Sequence, residues 1–249
     1  MNNIDNFLHD SSEPRVVFFS GAGLSAESGI RTFRDCDDGL WEEFDITEVC
    51  LASTFHDNYD KVHEFYNMRR KELSTVQPND AHFFIAEMQK LYGDRCLHFT
   101  ANVDDLCERA GGQATHIHGN LLEVVQDMYG KQEVLNVGYE DFIPVPGVPS
   151  KPNIAFFEDT HRYENGEQVQ LYSSMHKVLS SLGHKDTAIV IGSGDEVVRW
   201  SMYLGFGNPV FSVNVNPQIQ ENDYRFSSTI YQPATKAIVQ LKALLDMRM

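Results

Sequence analysis

The sequence predicts an α/β protein built on a doubly wound parallel sheet. Strands buried on both faces are continuous apolar runs, and three such runs occupy residues 15–20 (RVVFFS), 187–192 (TAIVIG) and 209–215 (PVFSVNV). Helical patterns separate them, and this alternation is typical of doubly wound sheets. The runs lead to Gly21, Gly192 and Asn214. Because ligands bind at the carboxyl ends of parallel strands, we expect a site where these three residues converge.

The other elements follow from periodicity and from helix stop signals. Helices are predicted near residues 25–30, 57–73, 80–92, 104–110, 176–182 and 234–245. Strands are predicted at residues 95–100, 115–118 and 153–157. Residues 31–41 are rich in Asp and Gly and predict an extended loop. Residues 127–152 are rich in Gly and Pro and predict a small irregular excursion.

Composition and charge restrict the partners that this chain can have. It has 249 residues and a formal net charge of −16, and no clustered basic face is visible, so we expect no nucleic-acid partner. No apolar run approaches the roughly 18 residues that a membrane-spanning helix needs. The first residues, MNNIDNFLHD, lack the basic flank and apolar centre of a signal peptide. We therefore expect a soluble, cytoplasmic protein without a membrane partner.

A glycine-rich loop follows the first strand. Residues 21–26 (GAGLSA) fit the pattern G-x-G-x-x-G/A, which lets backbone N–H groups approach a pyrophosphate. A redox enzyme also needs an acidic residue at the end of the next strand, about 20 residues further on. Glu42 and Glu43 have this spacing, but the segment before them is polar and does not predict a strand. The loop thus indicates dinucleotide binding and weakens the case for hydride transfer.

Several longer motifs carry a family resemblance along nearly the whole chain. They are GAGLSAESGIRTFRD with GLW at 21–41, TANVD at 100–104, ERAG at 108–111, HGNL at 118–121, KPNIAFF at 151–157, IGS at 191–193 and VNV at 213–215. In order and spacing they resemble the signature of sirtuins, the NAD-dependent protein deacylases. The resemblance implies a Rossmann-like fold and NAD as co-substrate.

The segment FYNMRR, residues 65–70, resembles the Y-x-x-R helix of class III sirtuins, which include the bacterial CobB type. In that class the Tyr and the Arg recognise the carboxylate of succinyl- or malonyl-lysine. Tyr66 and Arg69 are three residues apart, so a helix places them on one face. A hydroxyl and a guanidinium can bind a carboxylate together. The resemblance thus implies an acyl-lysine protein substrate, bound by Tyr66, Arg69, Phe156 and Phe157.

The family chemistry, by resemblance, consumes NAD. Nicotinamide leaves the ribose, the acyl oxygen of the modified lysine attacks there, and a base deprotonates a ribose hydroxyl that then takes the acyl group. Histidine suits such a base because it titrates near neutral pH. The resemblance assigns this role to His118, while His116, two residues earlier in the predicted strand, is expected on the opposite face.

The remaining site residues are also implied by the resemblance. Asn102 and Asp104 complete the catalytic set and line the nicotinamide pocket, and Asp104 or Asp105 can cap the following helix. Phe33 covers the nicotinamide, and Arg34 reaches the phosphates. The NAD-binding set as a whole is Gly21, Ala22, Gly23, Glu27, Thr32, Phe33, Arg34, Trp41, Asn102, Val103, Asp104, Gly192, Ser193, Gly194, Asn214, Val215, Asn216 and Ala234.

The zinc cysteines of the family are missing. Sirtuins usually carry four cysteines, as two close pairs, after the histidine motif, whereas residues 119–249 contain none. We predict no bound metal. The resemblance implies one catalytic domain over residues 1–249. Its approximate division is a Rossmann-like core at 12–36, 93–126 and 153–249, with smaller insertions at 37–92 and at 127–152, the counterpart of the zinc module.

Other departures leave three functions open. Ala101 stands where the family has a Gln that contacts the nicotinamide ribose, and Glu158 stands at a Gly beside the bound peptide. Cys107 replaces a His before ERAG, and Ser193-Gly194 replaces Thr-Ser. Deacylation is the first hypothesis. The alternatives are NAD hydrolysis or ADP-ribosyl transfer, and nonenzymatic sensing of NAD or ADP-ribose.

Overall fold

The computed structural model describes residues 3–9, 12–30, 44–158, 167–205 and 209–249. The strands of these residues are β1 (Val16–Ser20), β2 (Cys96–Thr100), β3 (Thr115–His116), β4 (Gly119–Met128), β5 (Lys131–Asn136), β6 (Ser150–Ile154), β7 (Thr187–Ile191), β8 (Phe211–Val215) and β9 (Ser228–Ile230). Six of them form a parallel sheet in the order β3-β2-β1-β7-β8-β9. The strand order reverses between β1 and β7, as the predicted doubly wound topology requires, and such sheets bind ligands at this reversal.

Helices cover both faces of this sheet and also form a third core outside it. They are α1 (Asn3–His9), α2 (Ile46–Val49), α3 (Tyr59–Thr75), α4 (Asp80–Tyr92), α5 (Leu106–Arg109), α6 (Glu167–Ser181), α7 (Trp200–Leu204) and α8 (Ala234–Arg248). No helix in the described part of the chain is both long and apolar enough to cross a membrane. The helix predicted to include residues 176–182 begins at Glu167 and ends at Ser181.

Strand β1 alternates its side chains between two buried cores. Val16 and Phe18 pack in the core under α4 and α8, whereas Val17 and Phe19 pack in the core under α1 and α6. All four side chains are fully buried. A strand with both faces covered must be apolar throughout, which explains the unbroken run of residues 16–19.

A smaller antiparallel sheet has the order β5-β4-β6 and packs near α3. The prediction of an irregular excursion over residues 127–152 is therefore wrong in part, because this segment contains β5 and most of β6. Tyr129 and Gly130, with φ of 58° and 79°, form the hairpin turn between β4 and β5. Strand β5, KQEVLN, carries few apolar residues and is largely exposed, so the sequence has no strong period there.

Two predicted strand ends also differ from the structure. The strand expected at 115–118 ends at His116, and the strand expected at 153–157 runs from Ser150 to Ile154. Gly119 explains the first difference, because its φ of +91° turns the chain away from the large sheet and into β4. The chain thus leaves the large sheet directly next to His118.

A buried ion pair joins the N-terminal side of β1 to that of β7. The Arg15 guanidinium donates to both carboxylate oxygens of Asp186, at 3.2 and 2.9 Å, and both side chains are 1% exposed. Gly183 N–H also donates to Asp186, at 2.8 Å. The pair therefore fixes the start of two adjacent central strands.

Asp186→Ala is expected to lower the free energy of unfolding by about 3–5 kcal/mol, because it leaves the Arg15 charge buried without a partner. Urea denaturation followed by circular dichroism measures this change. The matched control is Glu87→Ala, which removes a partly exposed partner of Lys242 and is expected to change stability by less than about 1 kcal/mol. Equal effects of the two substitutions would contradict the prediction.

Candidate functional site

Two glycine turns face each other where the strand order reverses. Gly21 follows β1 and Gly192 follows β7, and Gly23 N–H donates to the Gly192 carbonyl at 2.8 Å. A Cβ on Gly23 would lie 2.7 Å from Gly192 Cα, and a Cβ on Gly192 would lie 2.4 Å from the Gly23 carbonyl carbon. Gly192 also has a φ of +63°, which favours glycine. The two turns thus form a floor lined by backbone, where a pyrophosphate can approach closely.

Ser25 joins three polar side chains beside this floor. Its hydroxyl donates to Asp104 Oδ2 at 2.9 Å, accepts from Asn102 Nδ2 at 3.2 Å and lies 3.3 Å from His82 Nε2. Asn79 N–H donates to His82 Nδ1 as part of the cap of α4, so the ring proton of His82 is on Nε2 and points at Ser25. Burial lowers the pKa of His82 to about 4, so this ring stays neutral.

The sequence predicted Asn102 and Asp104, but neither Ser25, which contacts both of them, nor His82, which contacts Ser25. Ser25 lies inside the glycine motif, and His82 lies three residues after the Asn that caps α4, so both carried a local signal. The Ser25–Asp104 contact joins segments 79 residues apart in the chain, and the Ser25–His82 contact joins segments 57 residues apart, which periodicity cannot reveal.

Asp104 has two structural partners. Its Oδ1 accepts from Leu106 N–H at 3.2 Å, at the start of α5, while its Oδ2 accepts from Ser25. Burial raises the pKa of Asp104, and the Ser25 and Leu106 hydrogen bonds oppose that shift. Asp105 does not cap α5 with its side chain, because its carboxylate instead accepts the Tyr139 hydroxyl from the small module. Asp104 thus provides the cap and also faces the candidate site.

His118 and His116 contact consecutive backbone carbonyls of one loop. His118 Nδ1 lies 3.2 Å from the Ala101 carbonyl, and His116 Nδ1 lies 2.8 Å from the Asn102 carbonyl. The prediction that the two rings point to opposite faces is therefore wrong. Residues two apart in a strand share a face, so the spacing of His116 and His118 does not favour opposite faces. Since a carbonyl only accepts, the His118 proton is on Nδ1 and the basic lone pair is on Nε2.

The predicted adenosine side is formed by β8, the turn after β7 and the start of α8. Asn214 Nδ2 donates to Asp223 at 2.7 Å, and Asn216 Nδ2 donates to the Ser193 carbonyl at 3.0 Å. Asn214 Oδ1 is buried, and no described residue hydrogen-bonds it. This amide oxygen can therefore accept a hydrogen bond from a ribose hydroxyl. Glu27 contacts Thr235, at the start of α8, through both carboxylate oxygens.

The other predicted NAD-binding residues lie in three groups. Ala22 lies in the glycine turn, directly after Gly21, and Ala234 is the buried first residue of α8. The carbonyls of Val215 and Val103 fix the turns, since they accept from Gly192 N–H at 2.9 Å and Leu121 N–H at 2.8 Å, and Gly194 follows Ser193. Four predictions fall outside the described residues, namely Thr32, Phe33, Arg34 and Trp41.

The predicted acyl-binding residues converge on a buried aromatic wall. Tyr66 stacks on Phe156, with ring centroids 5.9 Å apart, and its hydroxyl lies 3.8 Å from Cys50 Sγ. Burial raises the pKa of Tyr66 well above its usual value and that of Cys50 to about 11, so both keep their protons. Arg69 Nη1 pairs with Glu72 at 2.8 Å. No motif indicated that Cys50 belongs to this wall.

The last predicted substrate residue lies at a backbone junction with the loop after α2. Phe157 N–H donates to the Cys50 carbonyl at 2.8 Å, and its carbonyl accepts from Ala52 N–H at 3.0 Å. Glu158 follows with a φ of +64°, which is strained for a residue with a side chain, and Ser53 donates to its carboxylate at 2.7 Å. Across the described ranges, no group of three or more His, Cys, Asp or Glu could hold a metal ion.

Comparison with known proteins agrees with this geometry. Residues 21–199 match the Sir2 family model. The NAD-dependent protein deacylase of Helicobacter hepaticus is 36% identical over 263 residues, which cover 94% of this chain and 98% of that protein. The protein of the same name from Pasteurella multocida is 35% identical, covering 92% and 96%.

Among solved structures, a Sir2 homologue in complex with NAD superimposes with a TM-score of 0.75 at 24% identity, covering 99% of this chain and 94% of that chain. At this level of identity the likeness concerns the fold. The family match extends over most of the chain, and the two relatives extend over nearly all of it. The chain therefore belongs to the Sir2 family.

Proposed function

We propose that this protein is an NAD-dependent protein-lysine deacylase. The observation that carries the proposal is the Ser25–Asp104–Asn102 network beside His118, at the strand reversal of a parallel sheet. The names of the relatives from Helicobacter hepaticus and Pasteurella multocida support it. NAD supplies a ribosyl carbon with a departing nicotinamide, and the acyl group of the modified lysine is transferred to ADP-ribose.

The residues present fit NAD at both ends of the site. The glycine turns bring backbone together at the strand reversal, where a pyrophosphate can bind, and the buried Asn214 Oδ1 can accept a hydrogen bond from a hydroxyl. At the other end, the Asp104 carboxylate accepts a hydrogen bond from the nicotinamide carboxamide. Ser25 holds both Asp104 and Asn102 in position, so the pocket is organised before NAD binds.

His118 acts as the general base in this proposal. Its Nδ1–H is directed at the Ala101 carbonyl, so Nε2 takes the proton from a ribose hydroxyl. Gly119 follows directly and packs closely against β6, because a Cβ there would lie 1.9 Å from the Asn153 carbonyl oxygen. The Ala155 N–H to His118 carbonyl bond, at 2.9 Å, ties the same turn to the segment that leads to Phe156.

We further propose a preference for acidic acyl groups, succinyl and malonyl. The Tyr66 hydroxyl is protonated and can donate to a carboxylate, and the charge of Arg69 lies close enough to influence the pKa of Tyr66. Arg69 Nη1 pairs with the Glu72 carboxylate at 2.8 Å, one turn along α3, and a guanidinium can bind an acyl carboxylate in the same way. The acyl carboxylate replaces or joins that partner.

The test supplies NAD with succinyl-, malonyl- or acetyl-lysine peptide and follows nicotinamide and O-acyl-ADP-ribose by mass spectrometry. Peptide-dependent formation of both products is expected. Nicotinamide release that does not depend on peptide would identify an NAD glycohydrolase or ADP-ribosyltransferase instead. Binding of NAD without turnover would identify a sensor.

One observation favours the glycohydrolase as the second candidate. The resemblance assigns the segment after Phe156 to pairing with the substrate peptide, and both backbone polar groups of Phe157 already pair with residues 50–52. Glu158 adds a side chain where the family has Gly. A peptide must therefore pair elsewhere along this segment or displace those bonds, whereas water needs no such pairing.

Arg69→Met is expected to lower kcat/KM for succinyl-lysine peptide by about 10- to 100-fold, the effect of losing a charged hydrogen bond. Turnover of acetyl-lysine peptide should change little, because that acyl group has no carboxylate. Lys71→Met is the matched control, since Lys71 is an exposed cation on the same helix, paired with Asp141. An equal loss on acetyl-lysine peptide would contradict the acyl preference.

A further inference from the structure

We propose that His116 is a positioning residue, an imidazolium that bridges the Glu108 carboxylate and the Asn102 carbonyl and so holds the loop 101–104 beneath the nicotinamide pocket. The proposal rests on the proposed function, since it assigns a role within the same site. It concerns a residue that contacts neither the acyl wall nor the glycine turns.

The protonation state follows from what surrounds the ring. His116 Nδ1 lies 2.8 Å from the Asn102 carbonyl, and Nε2 lies 3.2 Å from Glu108 Oε1. A carbonyl and a carboxylate both accept, so both ring nitrogens must carry a proton to make both bonds. Only the imidazolium satisfies this arrangement, because neutral imidazole has a single N–H.

The charges around the ring favour the same state. Burial lowers the pKa of His116, but the hydrogen bond and charge of Glu108 outweigh it, aided by the Asn102 carbonyl and the Asp104 charge, and the net shift is upward. Burial raises the pKa of Glu108, but the bond to His116 outweighs that, and the net shift is downward. On β2, burial lowers the pKa of His98 to about 3, and the charge of His116 lowers it as well, so His98 stays neutral.

The bridge transmits position to the site through Asn102. The backbone of Asn102 is held by His116 at its carbonyl and by Thr100 Oγ1 at its N–H, at 3.0 Å, while its side chain reaches Ser25. Glu108 is itself fixed, because its Oε1 also accepts from Ala114 N–H at 3.1 Å. Loss of the imidazolium therefore frees one end of Asn102 without removing any group that contacts NAD.

The pH dependence has a defined sign. The raised pKa of His116 means that its contribution is complete below its ordinary pKa of about 6.5 and is lost as the pH rises through the raised value. The lowered pKa of Glu108 means that its contribution is present above its ordinary pKa and is lost as the pH falls through the lowered value. The bridge is thus intact between these two pKa values.

Two substitutions separate positioning from simple packing. In His116→Asn the side-chain amide can take the place of Nδ1–H and donate to the Asn102 carbonyl. In His116→Gln the amide can take the place of Nε2–H and reach Glu108 instead. We expect kcat/KM for NAD to fall by about 10- to 100-fold in His116→Gln at pH 7, as for a lost charged hydrogen bond. The fall in His116→Asn should be several-fold smaller, and its alkaline limb should be absent.

The deciding measurement uses the full chain without NAD or peptide. Titration of the histidine ring signals by NMR is expected to give a pKa above 6.5 for His116, and a lower value in Glu108→Gln. A His116 pKa at or below 6.5 would overturn the proposal whatever the activity, as would equal losses in the Asn and Gln variants. A protonated His116 in a protein without peptide-dependent turnover would support this inference and reject the deacylase function.

Discussion

His118→Ala is expected to lower the rate of O-acyl-ADP-ribose formation by about 100- to 10,000-fold, the usual contribution of a general base. The base is needed only after nicotinamide has left, when a ribose hydroxyl must lose its proton. The Asp104 side of the pocket is unchanged by the substitution. Exchange of labelled nicotinamide into NAD should therefore continue in this variant.

Product formation by mass spectrometry and the nicotinamide exchange rate are the two measurements. His176→Ala is the matched control, because His176 lies exposed on α6, where its ring contacts Tyr203. This control should leave both rates unchanged. A His118→Ala variant that loses exchange and acyl transfer equally would instead assign His118 to the binding of NAD or to the structure of the loop.

Gly192→Ala is expected to weaken NAD binding by at least about 10-fold, because lost charged contacts to phosphate are worth roughly 1.5–3 kcal/mol. A Cβ at Gly192 would lie 2.4 Å from backbone atoms of Gly23 and Leu24, so the two turns must separate. Separation breaks the Gly23 N–H to Gly192 carbonyl bond and displaces the floor on which we propose that the pyrophosphate binds.

Calorimetric titration with NAD measures the affinity, and thermal denaturation measures the accompanying loss of stability. Gly138→Ala is the matched control. Gly138 has a similar φ of +59°, but no atom lies within 4 Å of the Cβ position. The control shares the backbone strain, about 1–2 kcal/mol, without the collision. Equal NAD affinities in the two variants would show that the turns do not support the pyrophosphate.

The central strands of the large sheet were predictable because each is marked by a continuous apolar run in the sequence. A strand covered on both faces must be apolar throughout, and residues 15–20, 95–100 and 187–192 are read correctly on that ground, with glycine marking where β1 and β7 end. Strand β5 was not predictable, because it lies at the edge of a small sheet and exposes most of its side chains.

The candidate site was predictable only where a motif carries it. Asn102, Asp104 and His118 came from the resemblance, whereas His82 and Cys50 became visible only through their contacts with Ser25 and Tyr66. The proposed role of His116 could not be predicted from the sequence for a different reason. Its significance depends on two acceptors at opposite ring nitrogens, and neither acceptor follows from the spacing of residues 115–118.

The position of β1 in the sheet also has a consequence for biogenesis. β1 is synthesised early, and Val16 pairs with Cys96 on one side and with Thr187 on the other. The second partner, Thr187, is synthesised 171 residues after Val16. Until then one apolar edge of β1 has no strand to pair with, and such edges associate with other chains. Folding of this protein is thus expected to be slow and to benefit from chaperones.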